Sequence, residues 1–139
     1  MFEKKAVIVD GNEFRAISCL YTVKTGEKMK YFGEVIALPR RSVIKILEDG
    51  KKHNVVFYEN PLNNVHKAYD FGKVNLKVSR IDTYNEDLEK YPLIFISFES
   101  EKMTEKNINS LSEVLINKLA PGDVQLKYRE CMDFVQKYK

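Results

Sequence analysis

The chain reads as an α+β protein, mainly β: an antiparallel β-barrel or sandwich with one short inserted helix and a C-terminal helical hairpin. Three observations predict this. Short β-prone runs separated by turn residues fill the first hundred positions, beginning with AVIV and a DG turn at 6–11. Aromatics make up 12% of the chain and are all Tyr and Phe, which suits strands. After Glu101 the apolar spacing changes from period two to steps of three and four. With 139 residues there is one core to build. The expected organisation is a β-barrel-like domain over 1–103, with 104–139 as a C-terminal helical extension of the same domain.

The elements follow in order. A strand over 5–9 runs into the Asp10-Gly11-Asn12 turn, and a second strand covers 14–23, with Ile17, Cys19, Tyr21 and Val23 on one face. Thr25-Gly26-Glu27 turns the chain into a third strand over 28–38, where Gly33 marks a bulge or bend. Pro39 to Ser42 interrupts the strands. Ser42 is placed to cap a short helix over 43–48 that ends at Gly50; the β-branched Val43, Ile44 and Ile46 leave a strand as the alternative. Residues 55–58 form a strand, and 60–64 a loop.

The clearest alternation lies at 73–81, where Val74, Leu76 and Val78 interleave with Lys73, Asn75, Lys77 and Ser79. A polar connection over 82–91 leads to 93–98, apolar enough to be covered on both sides. In the tail, Thr104 caps a helix whose stripe is Ile108, Leu111, Leu115 and Leu119. Asp123 caps a second, with Val124, Tyr128, Cys131, Val135 and Tyr138.

Composition excludes several classes. An apolar fraction of 44% with 31% charged residues is that of a folded chain. The net charge of +3 is far from the clustered basicity of a nucleic-acid binder. No stretch approaches the ~20 apolar residues of a membrane helix, so no membrane insertion and a cytoplasmic address are expected. Cys19 and Cys131 lie far apart and read as buried, reduced thiols.

Nucleophile elbows, phosphate loops, dinucleotide fingerprints and zinc-protease motifs are absent. His53 and His66 read as surface histidines, and a metal between them would need help from Glu59 or Asp70. The acidic run Asp82, Glu86, Asp87, Glu89 lacks the spacing and glycine of a calcium loop. The expectation is a protein that is not an enzyme and has no cofactor or metal. Two polar sets remain. Arg40, Arg41, Lys45, Lys51 and Lys52 form the best basic patch, a candidate phosphate site or a solvated helix face. Lys73, Asn75, Lys77 and Ser79 form the wet side of a strand or the wall of a hydrated channel.

The order of elements resembles the haemolysin-coregulated protein family of type VI secretion and the contractile phage tail-tube proteins. The likeness rests on KAVIVDGNEFRAISCLYTV (5–23), SVIKILEDGKKHNVVFYE (42–59), YDFGKVNLKVSRID (69–82) and YPLIFISFESEKM (91–103), and covers about 4–103. The resemblance implies a small β-barrel or sandwich with a flanking helix, a hexameric ring, and rings stacked into a tube that passes effectors or DNA. It carries over no catalytic residue. By position, 73–79 would be a ring-facing strand, and Lys24, Thr25, Gly26, Glu27 and Lys28 would sit where the inter-ring loop leaves the barrel. That segment is short for such a loop, and the helical tail has no counterpart in the simplest members.

The expected function is therefore a non-enzymatic, self-assembling component of a phage-tail-like or type VI secretion apparatus, incorporated into a secreted or phage-like particle. Its partners would be copies of itself in a ring-like homo-oligomer, or other tail or baseplate proteins. The alternative is a small phage or mobile-element binding module acting on nucleic acid or a host protein. It rests on the basic patch and on Tyr31 and Tyr58 as stacking residues.

Overall fold

Two antiparallel sheets face each other in a computed structural model that describes residues 4–60, 65–82, 92–117 and 122–138. Strands β1 (Lys4–Val9), β2 (Asn12–Phe14), β5 (His53–Asn60), β6 (His66–Val74) and β9 (Thr104–Ile108) form a five-stranded sheet in the order β2-β1-β5-β6-β9. Strands β3 (Ala16–Lys24), β4 (Lys30–Ala37), β7 (Lys77–Asp82) and β8 (Leu93–Ser100) form a four-stranded sheet in the order β3-β4-β8-β7. Helix α1 (Arg41–Glu48) carries the chain from β4 to β5, and so from one sheet to the other; α2 (Tyr128–Lys137) lies near the end. The fold is α+β, mainly β, and of the two expected forms it is the sandwich.

The opening hairpin forms as its sequence dictates. Val9 pairs with Asn12, leaving Asp10 and Gly11 at φ 52° and 81°, the conformation of a two-residue type I′ turn. The chain does not then continue as one strand over 14–23. It leaves the first sheet after Phe14 and enters the second at Ala16. The alternating segment 73–81 is likewise two strands, the end of β6 and most of β7, with Asn75 and Leu76 between them. Alternation reports which side chains turn inward but not which strand they pair with, so it runs through both corners. At the second, Val74, Leu76 and Val78 stay in phase; after the first, the bulge between Ala16 and Ser18 shifts the inward set to Cys19 and Tyr21.

Between the sheets lie Val7, Val9, Val55, Phe57 and Phe71 from the first, and Cys19, Val35, Ile94, Ile96 and Phe98 from the second. Phe71 is fully buried and meets Phe57 and Phe98 edge-on, with ring centroids 5.0 and 5.1 Å away. Gly33 is not a bulge. It pairs in register with Phe98, whose ring lies where a Cβ would stand, so the missing side chain makes room for the core aromatic.

The far face of the five-stranded sheet is also covered. Ala6, Ile8, Val56, Tyr58 and Ala68 pack against Ile108, Leu111, Val114 and Leu115. Burial on both faces explains why AVIV and VVFY are continuous apolar runs.

The expected C-terminal helical hairpin is corrected here. Residues 104–108 form an edge strand on β6, followed by a single 3-10 turn at Leu111–Glu113. Of the predicted stripe, Leu119 lies outside the described residues, as do the predicted loop at 61–64 and the connection at 83–91. The stripe Ile108, Leu111, Leu115 is half-buried, covered by draping over the sheet rather than by a helix. The open edge of β6 supplies backbone partners that an isolated helix would have to make for itself. The second predicted helix starts at Tyr128 rather than after Asp123. Its buried face is Cys131, Phe134 and Val135, while Val124, Tyr128 and Tyr138 are exposed.

Helix α1 exists, but Ser42 does not cap it. The N-cap is Arg40, and Ser42 lies buried in the first turn. Asp49 closes the helix, and Gly50 at φ 70° follows in the left-handed conformation that glycine favours.

Candidate functional site

Among the described residues, the β3–β4 hairpin presents the longest unpaired strand edge. Strand β3 is nine residues long and lies at the border of its sheet. On it Ile17, Leu20 and Val23 are 58, 50 and 47% exposed. Cys19 and Tyr21 do turn inward as the alternation predicts, and Tyr21 packs on Phe71 at 5.4 Å. Ile17 and Val23 do not share that burial. A bulge between Ala16 and Ser18 turns Ile17 out of the ladder, and Val23 lies at the end of the hairpin beyond the core. Leu20 points to the outer face, opposite Glu34 and near the half-exposed Phe32.

Lys24, Thr25, Gly26, Glu27 and Lys28 form the tip of this hairpin. They border an open crevice of about 540 Å³ closed by Lys30, Phe32 and Glu99. Lys30 reaches Glu99 across the β4–β8 pair at 3.0 Å. Lys73, Asn75 and Lys77, expected on one strand, come instead from the β6–β7 corner. Together with Lys52 they line an open cleft of about 730 Å³ whose other wall includes Leu20 and Phe32. Ser79 departs from the set. It sits in the β7 bulge and donates its hydroxyl to the Phe95 carbonyl at 3.0 Å. Beside it Arg80 lies over the Phe95 ring, 4.1 Å from the centroid.

The basic patch is divided by its surroundings. Arg40 donates Nε–H to Asp123 at 2.8 Å, and Arg41 reaches Glu130 at 2.9 Å. Both charges are spent on holding the C-terminal segment. Lys45 borders the groove between α1 and α2, and Lys51 and Lys52 lie on the exposed loop beyond α1. The five residues thus have separate surroundings: two are ion-paired to the C-terminal segment, and three lie along or beyond α1. Tyr31 is half-buried and leans on Phe71 at 6.4 Å, and Tyr58 is buried against His66.

His53 is the residue the sequence reading placed least well. It is 6% exposed, not a surface histidine. Nδ1 lies 2.6 Å from Asp10 and Nε2 lies 3.0 Å from Asp49. Burial pulls the imidazole pKa down, but the hydrogen bonds and charges of the two carboxylates outweigh it and leave it above the ordinary histidine value. Both nitrogens can donate only in the imidazolium form. The pair of bonds ties the opening turn to the end of α1. Asp10, read as a turn residue only, also accepts the Asn54 backbone N–H at 2.9 Å.

His66 bonds the Tyr58 hydroxyl, Glu59 accepts from Tyr69 at 2.7 Å, and Asp70 accepts from Asn54 and Gly72. Glu59 and Asp70 are thus engaged away from the histidines they were considered to assist. Among the described residues no group of three or more His, Cys, Asp or Glu is arranged to hold a metal, and no helix is long and apolar enough to cross a membrane.

The exposed β3 residues were missed because strand alternation assigned Ile17 and Val23 to the buried face. The available clue was length, since a nine-residue strand outruns the core it can cover. Scans of this chain against protein-family models, curated proteins and solved structures find no match.

Proposed function

We propose that this chain is a non-enzymatic structural protein that assembles with copies of itself, in a phage-tail-like or type VI secretion apparatus as its element order suggests. One observation carries the reading. Strand β3 offers nine residues of sheet edge with three exposed apolar side chains. A long apolar edge of this kind is a template for another strand, and soluble monomers normally blunt it.

Size-exclusion chromatography with light scattering over a concentration series, followed by electron microscopy, tests the reading. A mass that rises to a defined multiple of the 16.2 kDa chain, with particles of uniform size on the grid, is the expected result. A strict monomer up to millimolar concentration overturns it.

A further inference from the structure

The four sheet edges of the molecule differ in how they are guarded. Strand β2 has only three residues, and Asn12 on it is already bridged to Asn117. Strand β9 is short and polar, with Glu105 paired to Lys67 at 3.1 Å and Lys106 beside it. Strand β7 carries Lys77, Arg80 and Asp82 and is bent by a bulge. These are the devices that keep edges from pairing. Strand β3 has a bulge at one end and a single charge, Lys24, at the other. Between them the edge is open, and among the described residues no backbone hydrogen bond is made on its outer side.

The exposed apolar residues on this edge are arranged symmetrically. Ile17 and Val23 lie three residues to either side of Leu20. We infer that β3 pairs antiparallel with β3 of a second copy about a two-fold axis through Leu20. This rests on the self-assembly reading and specifies its contact. In that register Leu20 faces Leu20 on the outer face and Ile17 comes beside Val23, so each exposed apolar side chain gains an apolar neighbour from the second copy. Thr22 falls opposite Ser18, and Lys24 opposite Ala16, so no like charges oppose. A pairing shifted by two residues would set Leu20 against Ser18 or Thr22 and separate Ile17 from Val23. The two-fold pairing joins the two four-stranded sheets into one, with Phe32 flanking the junction on the outer face. It is an isologous contact, unlike the head-to-tail contact of a simple ring.

Directly opposed residues of an antiparallel pair have Cα atoms about 4.5–5.5 Å apart, within disulfide range. Leu20→Cys should therefore give a covalent dimer on a non-reducing gel after mild oxidation. The wild-type chain, whose Cys19 and Cys131 are buried, should not. Ile17→Cys and Val23→Cys should each stay uncrosslinked alone and give dimer when mixed. Leu20→Lys should weaken association measured by light scattering on the order of tenfold or more, by setting like charges against each other. Self-association that persists with no Leu20→Cys crosslink and no effect of Leu20→Lys overturns the two-fold β3 contact alone. A wild-type chain that is monomeric throughout overturns the assembly reading with it.

Discussion

Asp123 accepts the Nε–H of Arg40 at 2.8 Å, and its carboxylate is almost wholly closed from solvent. The same carboxylate takes the Ser42 hydroxyl at 2.5 Å, and Arg40 also reaches the Asp123 carbonyl at 3.3 Å. Backbone bonds from Arg41 to Val124 and from Leu126 to Pro39 complete the junction. Asp123→Ala would leave a largely buried guanidinium without its partner. The expected loss is about 3 kcal/mol of unfolding free energy. Denaturant titration measures it, and hydrogen exchange should show α2 losing protection before the sheets do. A loss below about 0.5 kcal/mol, as at an ordinary surface site, would show that the junction does not anchor the tail.

The His53 clasp predicts a pH dependence. An unfolded histidine titrates near about 6.5. In the fold the value is raised, because the bonds from Asp10 and Asp49 outweigh burial. The stabilisation is then fully present below the unfolded value and is lost as pH rises through the folded one. Asp49 shifts the other way. Burial would raise it, but the Lys51 backbone N–H and His53 hold it below the usual carboxylate value, so it stays ionised through this window. His53→Ala should cost about 1–2 kcal/mol at mildly acidic pH. The gap between wild type and variant should narrow as pH rises, and a gap that is flat with pH would refute the clasp.

Gly33→Ala tests why a glycine stands in the middle of β4. A methyl group there would meet the Phe98 ring, which is locked by Phe57 and Phe71. Overpacking of this kind costs about 1–3 kcal/mol. Gly26→Ala, in open space, is the matched control and should change stability by less than about 0.5 kcal/mol. Equal effects at the two positions would contradict the packing account.

The two thiols should be slow to react in the native protein. Burial pushes Cys19 up to about 11, with the neighbouring charge of Lys5 opposing it, and burial alone pushes Cys131 up to about 11. Labelling with a thiol reagent at neutral pH should follow unfolding, becoming rapid only in denaturant. Immediate reaction of either cysteine without denaturant would show that its burial is not maintained.

Local chemistry determined a good part of this molecule from sequence. The DG turn, the apolar runs AVIV and VVFY, the helix between Pro39 and Gly50 and the strand LIFISF depend on a few adjacent residues, and each stands where the sequence puts it. What escaped depends on neighbours far along the chain. Alternation reports burial but not pairing, so 14–23 and 73–81 looked continuous although each turns from one sheet to the other. Helical spacing at 108–115 reports an apolar stripe, yet the edge of β6 and the outer face of its sheet absorbed that stripe without a helix. His53 looked like a surface residue because Asp10, which holds it from the other side, lies 43 positions away. The exposed edge at β3 is likewise a tertiary fact. Its residues are apolar by sequence, but tertiary structure decides which of them the core can reach: the bulge turns Ile17 out, Leu20 faces outward, and Val23 lies beyond the opposing sheet.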